Sequence, residues 1–294
     1  MAIQSIDNLI AAYSAGQTSH YEYNKITGAV AYAAGRSYEM MSLAGSPVAT
    51  AWPGAALAHV ATAETTGDGT NIFGIPHGGN VSALIKHINV ISCMSTAATG
   101  VPAVLTLVDL QGYWPGIDMN TLSAQTLTGT PTLRYTNGAG CRLALAARST
   151  TGATPHNVNV SYTNTAGTTG RTLPGTVACT VSAIVPHIVH SGIAANNYGP
   201  ALPLASGDTG VQAVASLTLS AASGTASTAV LMLYRPLLTV NTMVVSLMTE
   251  KELVNNVPSL PRIVDGACLG FFLTSGAATA ASTTFLGSTD FVWG

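Results

Sequence analysis

Two aspartates and two aromatic rings stand within fourteen residues in VDLQGYWPGIDMNT, residues 108–121. Paired carboxylates can carry acid–base work on a glycosidic bond, and Tyr113 and Trp114 can form a platform for a sugar face. Such a site ordinarily draws on more acids and on aromatics from several loops, whereas this chain has 3 Trp and 12 acidic residues in all. The competing reading is local. Asp109 closes the apolar run AVLTLVDL, and Tyr113-Trp114-Pro115-Gly116 reads as a turn. Asp109 and Asp118 then accept backbone N–H bonds as turn caps. Aromatics at such a turn are anchors for a protein contact. The sequence favours this second reading, with Tyr113 and Trp114 as the candidate partner-contact residues and no catalytic residue assigned.

Other chemistry is thinner still. His187 and His190 stand at i and i+3 in VPHIVH, a spacing that on a strand points the rings to opposite faces. No Cys or carboxylate stands near them in sequence to complete a zinc site. His77 precedes Gly78-Gly79, but no G-x-S-x-G nucleophile elbow accompanies it. No glycine run leads to a P-loop lysine, and no G-x-G-x-x-G opens a helix after a strand. The expectation is no metal, no cofactor and no enzyme activity. Cys93, Cys141, Cys179 and Cys268 lie far apart without a C-x-x-C pair and read as buried free thiols. Asn80 and Asn159 match a glycosylation sequon, read here as chance.

The elements that must hold these residues are mostly strands. Ser5 is placed as an N-cap with Asp7 in the first turn, and Ile6, Leu9, Ile10 and Tyr13 recur at helical spacing before Gly16. Residues 17–60 show no steady alternation and read as an extended arm that gains order on assembly. ETTGDGTN and PHGGN mark loops after it. From residue 81 the period is two. TLRYT and CRLALAA are expected to form a hairpin about Asn137-Gly138, NVNVSYTN and TVACTVSAIV another, and QAVASLTLSA and STAVLMLY a third. Residues 227–248 are apolar enough to suggest a membrane span, but Arg235 and Pro236 at the centre argue for two buried strands broken at the proline. The opening segment lacks a basic region followed by an apolar core, so no secretory leader is expected. The expected fold is mainly β, a jelly-roll-like β-sandwich over residues 61–294, preceded by a helix and arm over 1–60.

Charged residues make up only 7% of the 294, against about 25% in ordinary domains. So little charge suits an exterior that meets other protein. No basic stripe points to nucleic acid. The succession VDLQGYWPGIDMNT…LRYTNGAGCRLALAARS…NVSYTNTAGTTGRT…PSLPRIVDGACLGFFLTSG…DFVWG, with the opening SIDNLIAAYSAG, resembles virion structural proteins of tailed bacteriophages. The resemblance spans nearly the whole chain and carries no catalytic residues across. It implies a decoration or cement-like protein on the capsid exterior, assembled in the host cytoplasm. Its implied partners are the major capsid protein and copies of itself, a trimer among them, with no direct nucleic acid and no membrane. The alternative is a tail or receptor-binding adaptor subunit whose loop at Tyr113 and Trp114 holds a host glycan; a polysaccharide-degrading enzyme ranks behind both.

Overall fold

The computed structural model describes residues 3, 5–49, 52, 54–62, 74–78, 81, 84–98, 101–192, 199–253 and 261–294. The ETTGDGTN loop and Asn80 lie outside them. Ser5 caps α1 (Ile6–Ser14) as expected, its Oγ accepting the Asn8 N–H at 3.2 Å. Gly16, at φ +68, follows the last turn. The apolar stripe, however, is only partly used. Leu9 and Ala12 are buried, while Ile6, Ile10 and Tyr13 are 55%, 58% and 44% exposed.

Seventeen strands follow among the described residues. They are β1 (Thr18–Ile26), β2 (Ser37–Glu39), β3 (Gly45–Ser46), β4 (Val60–Ala61), β5 (Lys86–Ser95) and β6 (Ala103–Asp118). Next come β7 (Gln125–Thr126), β8 (Arg142–Ala147), β9 (His156–Asn164), β10 (Arg171–Thr172), β11 (Val177–Cys179) and β12 (Val211–Leu219). The last are β13 (Thr228–Thr242), β14 (Thr249–Glu252), β15 (Arg262–Ile263), β16 (Leu269–Ser275) and β17 (Thr284–Trp293). They build three antiparallel sheets. One runs β14-β5-β17-β1-β3 with β15 on β5, one β10-β9-β12-β7 with β11 on β9, and the central one β2-β16-β6-β13-β8 with β4 on β6.

The fold is a β-sandwich in which one long sheet serves two partners. On one face of the central sheet, Leu105, Leu107, Phe271 and Leu273 pack with Ile88, Ile91 and Phe285 of the first sheet. Farther along the same face, Trp114, Leu143, Leu231 and Leu233 pack with Val160, Tyr162 and Leu217 of the second. The alternate residues, Val108, Leu110, Ala144, Ala146, Val230 and Met232, fill a third cluster on the opposite face, under Met41, Trp52 and Ile188. Period-two alternation in β8, β13 and β16 assigns these faces directly.

Several expectations of connectivity are corrected. β8 pairs with β13 rather than with residues 132–135, so no hairpin forms about Asn137, although Asn137 does take φ +54 in a tight turn. β12 and β13 lie in different sheets, so the turn between them is a crossover. β13 continues through Pro236 with a bulge after it, where Leu237 is the extra residue. The NVNVSYTN segment does fold back on β10 and β11. Residues 18–26, expected within an extended arm, form β1 between β17 and β3. The alternation there is real but masked. Tyr23 and Lys25 are both buried, with Lys25 Nζ donating to the Leu43 and Pro47 carbonyls.

Candidate functional site

The stretch 108–118 is strand, not turn, and this changes the role of each side chain in it. β6 crosses the middle of the central sheet, with β16 on one side and β13 on the other. Its break residues are absorbed as bulges: Gln111 is an extra residue against Leu233/Tyr234, and Pro115-Gly116 oppose the single Val230. The first bulge shifts the alternation, so that Tyr113 shares the face of Leu110 and Trp114 takes the opposite one. Tyr113 is 1% exposed and Trp114 0%. Tyr113 meets Trp52 edge-on at 4.8 Å between ring centroids. Trp114 meets His59 at 4.9 Å and donates its Nε1–H to the Thr128 carbonyl at 3.1 Å. Both rings are thus covered by Trp52 and His59, from a strap of the chain's own N-terminal part. Gly112 permits that strap, since a Cβ there would lie 2.1 Å from His59 Nε2 and 2.7 Å from the Val60 carbonyl oxygen. Arg148 pins the strap by donating to the Gly54 and Trp52 carbonyls.

Asp109 does not end a strand. It lies mid-β6, fully buried, on the face between the first and second clusters. Arg134 reaches in from the segment before β8 and donates from both Nε and Nη2 to its two oxygens, Nε–Oδ2 being 3.1 Å. The Cys268 N–H adds a third bond at 3.0 Å. Remaining Arg134 donors go to the Thr62 and Leu110 carbonyls, and Gln111 Oε1 accepts the Arg134 backbone N–H at 2.9 Å. A bidentate pair with four of the five guanidinium N–H donors engaged is a structural clamp, holding Thr62, the central sheet and the segment before β8 together. Asp118, by contrast, caps as expected. Its Oδ1 accepts the Asn120 N–H at 2.9 Å and its Oδ2 the Thr121 hydroxyl at 2.8 Å. The two carboxylates lie on separate networks.

The remaining titratable residues follow the same pattern. His187 is buried with its ring 5.1 Å from Tyr38, and His190 is fully buried. Burial holds both down to about 3, and holds His59 down to about 4. His77 accepts and donates within the interior, at 2.9 Å to the Ala267 carbonyl and 2.8 Å to Lys86 Nζ. Among the described residues no group of three His, Cys, Asp or Glu is arranged to hold a metal ion. All four cysteines are buried thiols outside any disulfide. Burial pushes Cys93 up to about 11 and Cys141 and Cys179 to about 12, the inert end of thiol chemistry. A second clamp joins Asp208 to Arg171, Tyr162 and Asn164 at 2.9, 2.6 and 2.7 Å. Sequence reading missed Arg134 and this Asp208 set. Both partners lie far off in the chain, and only the scarcity of charge could have marked them.

Fold and site together define a mainly β protein whose buried Asp109–Arg134 pair holds sheet and strap in place. No protein-family model matches the sequence, and no curated protein does. Among solved structures, the VP2 subviral particle of infectious bursal disease virus is similar over 94% of this chain and 80% of that one, at 10% identity and a TM-score of 0.22. T=1 particles derived from the same virus cover 94% and 77%, at 10% identity and 0.19. No helix among the described residues is long and apolar enough to cross a membrane.

Proposed function

We propose that the chain is a non-enzymatic structural subunit of a virion, a decoration or cement protein on a bacteriophage head that binds the major capsid protein and further copies of itself. One observation carries the reading: large apolar side chains are exposed in groups on a chain that is otherwise poor in charge. Ile6, Ile10 and Tyr13 form one face of α1. Met243, Val244, Leu247 and Met248, between 44% and 63% exposed, crowd the loop between β13 and β14. Grouped exposed apolar surface marks protein contact rather than ordinary solvent-facing surface. A subunit that meets its neighbours in every copy of a symmetric shell has a use for both. Tyr113 and Trp114 lie beneath the chain's own strap, so a sugar platform at that place finds no support in the geometry.

Copy number tests the reading. Quantitative mass spectrometry of purified particles should find on the order of hundreds of copies, as repeated shell contacts require. A few dozen copies or fewer would favour a tail subunit, and absence from particles would end the proposal.

A further inference from the structure

We propose that the seam between the two halves of the sandwich is a binding site for an organic oxyanion, a carboxylate or phosphate carried on a body with an apolar side. The seam opens as a cleft of about 560 Å³, lined by residues from three elements. Arg235 comes from β13, Arg262 from β15, and Arg134 and Tyr135 from the segment before β8. These are three of the chain's 10 basic residues, and among the described residues no carboxylate lines the cleft beside them.

The three cations are not equivalent. Arg134 is satisfied by Asp109 and faces inward. Arg235 and Arg262 have no ion pair among the described residues. Arg235 pairs in register with Asp109, on the face of the central sheet that lies between the two clusters, yet Asp109 is already occupied by Arg134. Its guanidinium instead lies over the Tyr135 ring, with Cζ 4.1 Å from the centroid. Stacking uses the flat face of a guanidinium and leaves its N–H edge free, the edge that meets a carboxylate or phosphate in two parallel bonds. The aromatic therefore holds the group in one plane without consuming its donors. Asp265, the acid nearest in sequence to the lining, is engaged elsewhere, accepting the Val81 N–H at 3.2 Å and lying 3.9 Å from Lys86 Nζ.

With Arg134 and Asp109 cancelling, the cleft keeps two positive charges. Among the described residues the rest of the wall is Thr136, Ala139, Pro236, Leu237, Pro261 and Val264, apolar but for one hydroxyl. An apolar wall with a few convergent polar groups, at a volume within the range of about 300–1,000 Å³, is the ordinary build of a small-ligand site. Placement supports the same conclusion, because a seam between two packed sheet pairs is where a fold can leave a concave space without losing core. In a chain with so few charges, two uncommitted arginines beside a third are an arrangement that neither core packing nor solubility demands.

Calorimetric titration of the full-length protein with inorganic phosphate and, separately, with glutarate, at constant ionic strength, tests this. At least one probe should bind saturably. Arg235→Gln and Arg262→Gln should each weaken that binding by about tenfold, the size of one lost charge-assisted bond. Lys251→Gln, whose Nζ donates to the Thr239 carbonyl outside the cleft, should bind as the parent does. Tighter binding of phosphate identifies a phosphorylated ligand, and tighter binding of glutarate a carboxylate one. Absence of saturable binding by both probes overturns the proposal, as does binding that Arg262→Gln leaves unchanged. Arg262 is exposed, so its variant remains decisive even if Arg235→Gln disturbs folding.

Discussion

At the residue scale, the two aspartates of the 108–121 stretch separate cleanly. Asp109 compensates a guanidinium that is only 12% exposed, so Asp109→Asn leaves Arg134 without its counter-charge in the interior. Breaking a buried pair from one side costs about 3–5 kcal/mol. Asp118→Asn keeps an amide oxygen for the Asn120 N–H and should cost under about 1 kcal/mol. Urea denaturation of the two variants measures the contrast, and equal midpoints would refute it. Trp114→Ala should cost about 3–5 kcal/mol, because it removes a fully buried ring and its bond to Thr128. If stability in isolation is unchanged, the ring is not the core residue described. The identity of the cap at Asp118 was legible in its own neighbours, Asn120 and Thr121. The role of Asp109 was not, since it depends on Arg134, 25 residues on.

At the scale of elements, local signals were read where they were local. The Ser5 cap, the first half of β6, the strand at β9 and the turn at Asn137 all follow from nearby residues. What failed was pairing. β12 and β13 look like a hairpin in sequence because a Gly-rich turn joins them, yet the alternation of each fits a different sheet. β1 went unrecognised because Lys25 occupies an inward position where the pattern asks for an apolar residue. Its amine is satisfied by two carbonyls, and burial lowers it to about 8. Since β1 pairs with β17 over nine positions and brings in Tyr23, the N-terminal part is bound into the sheets. Deleting residues 2–40 removes Tyr23, Tyr32 and Tyr38 from the interior, each burial contributing about 1.5–3 kcal/mol. That sum rivals the total stability of a domain, about 5–15 kcal/mol. The truncated chain should therefore show no cooperative unfolding by circular dichroism. A well-folded truncation would return residues 1–40 to the status of an assembly-ordered arm.

At the scale of the whole molecule, a charge-poor interior sets the response to acid. His59, His187 and His190 are held by burial at about 4, 3 and 3. In the unfolded chain they titrate near 6.5. The unfolded state therefore takes up protons first as pH falls, and stability is full above about pH 6.5 and drops from there to about pH 4 for His59 and about pH 3 for His187 and His190. Each histidine contributes up to about 1.4 kcal/mol per pH unit across that window. Glu39, pushed up by burial, works in the opposite sense as one group against three. The Asp208 clamp acts lower. Arg171, Tyr162 and Asn164 hold that carboxyl down to about 2, so its contribution lasts above about pH 4 and is lost as pH falls toward 2. Thermal unfolding should shift steeply down between pH 7 and 5. A flat profile would mean that the histidines reach solvent.

As a decoration protein the molecule sits on the head exterior, and electron cryo-microscopy of intact particles decides the point. The images should show density for the three-sheet sandwich repeated over the head, with α1 and the β13–β14 loop turned toward neighbouring protein. Density confined to the tail, or particles that lack the chain altogether, would overturn that placement.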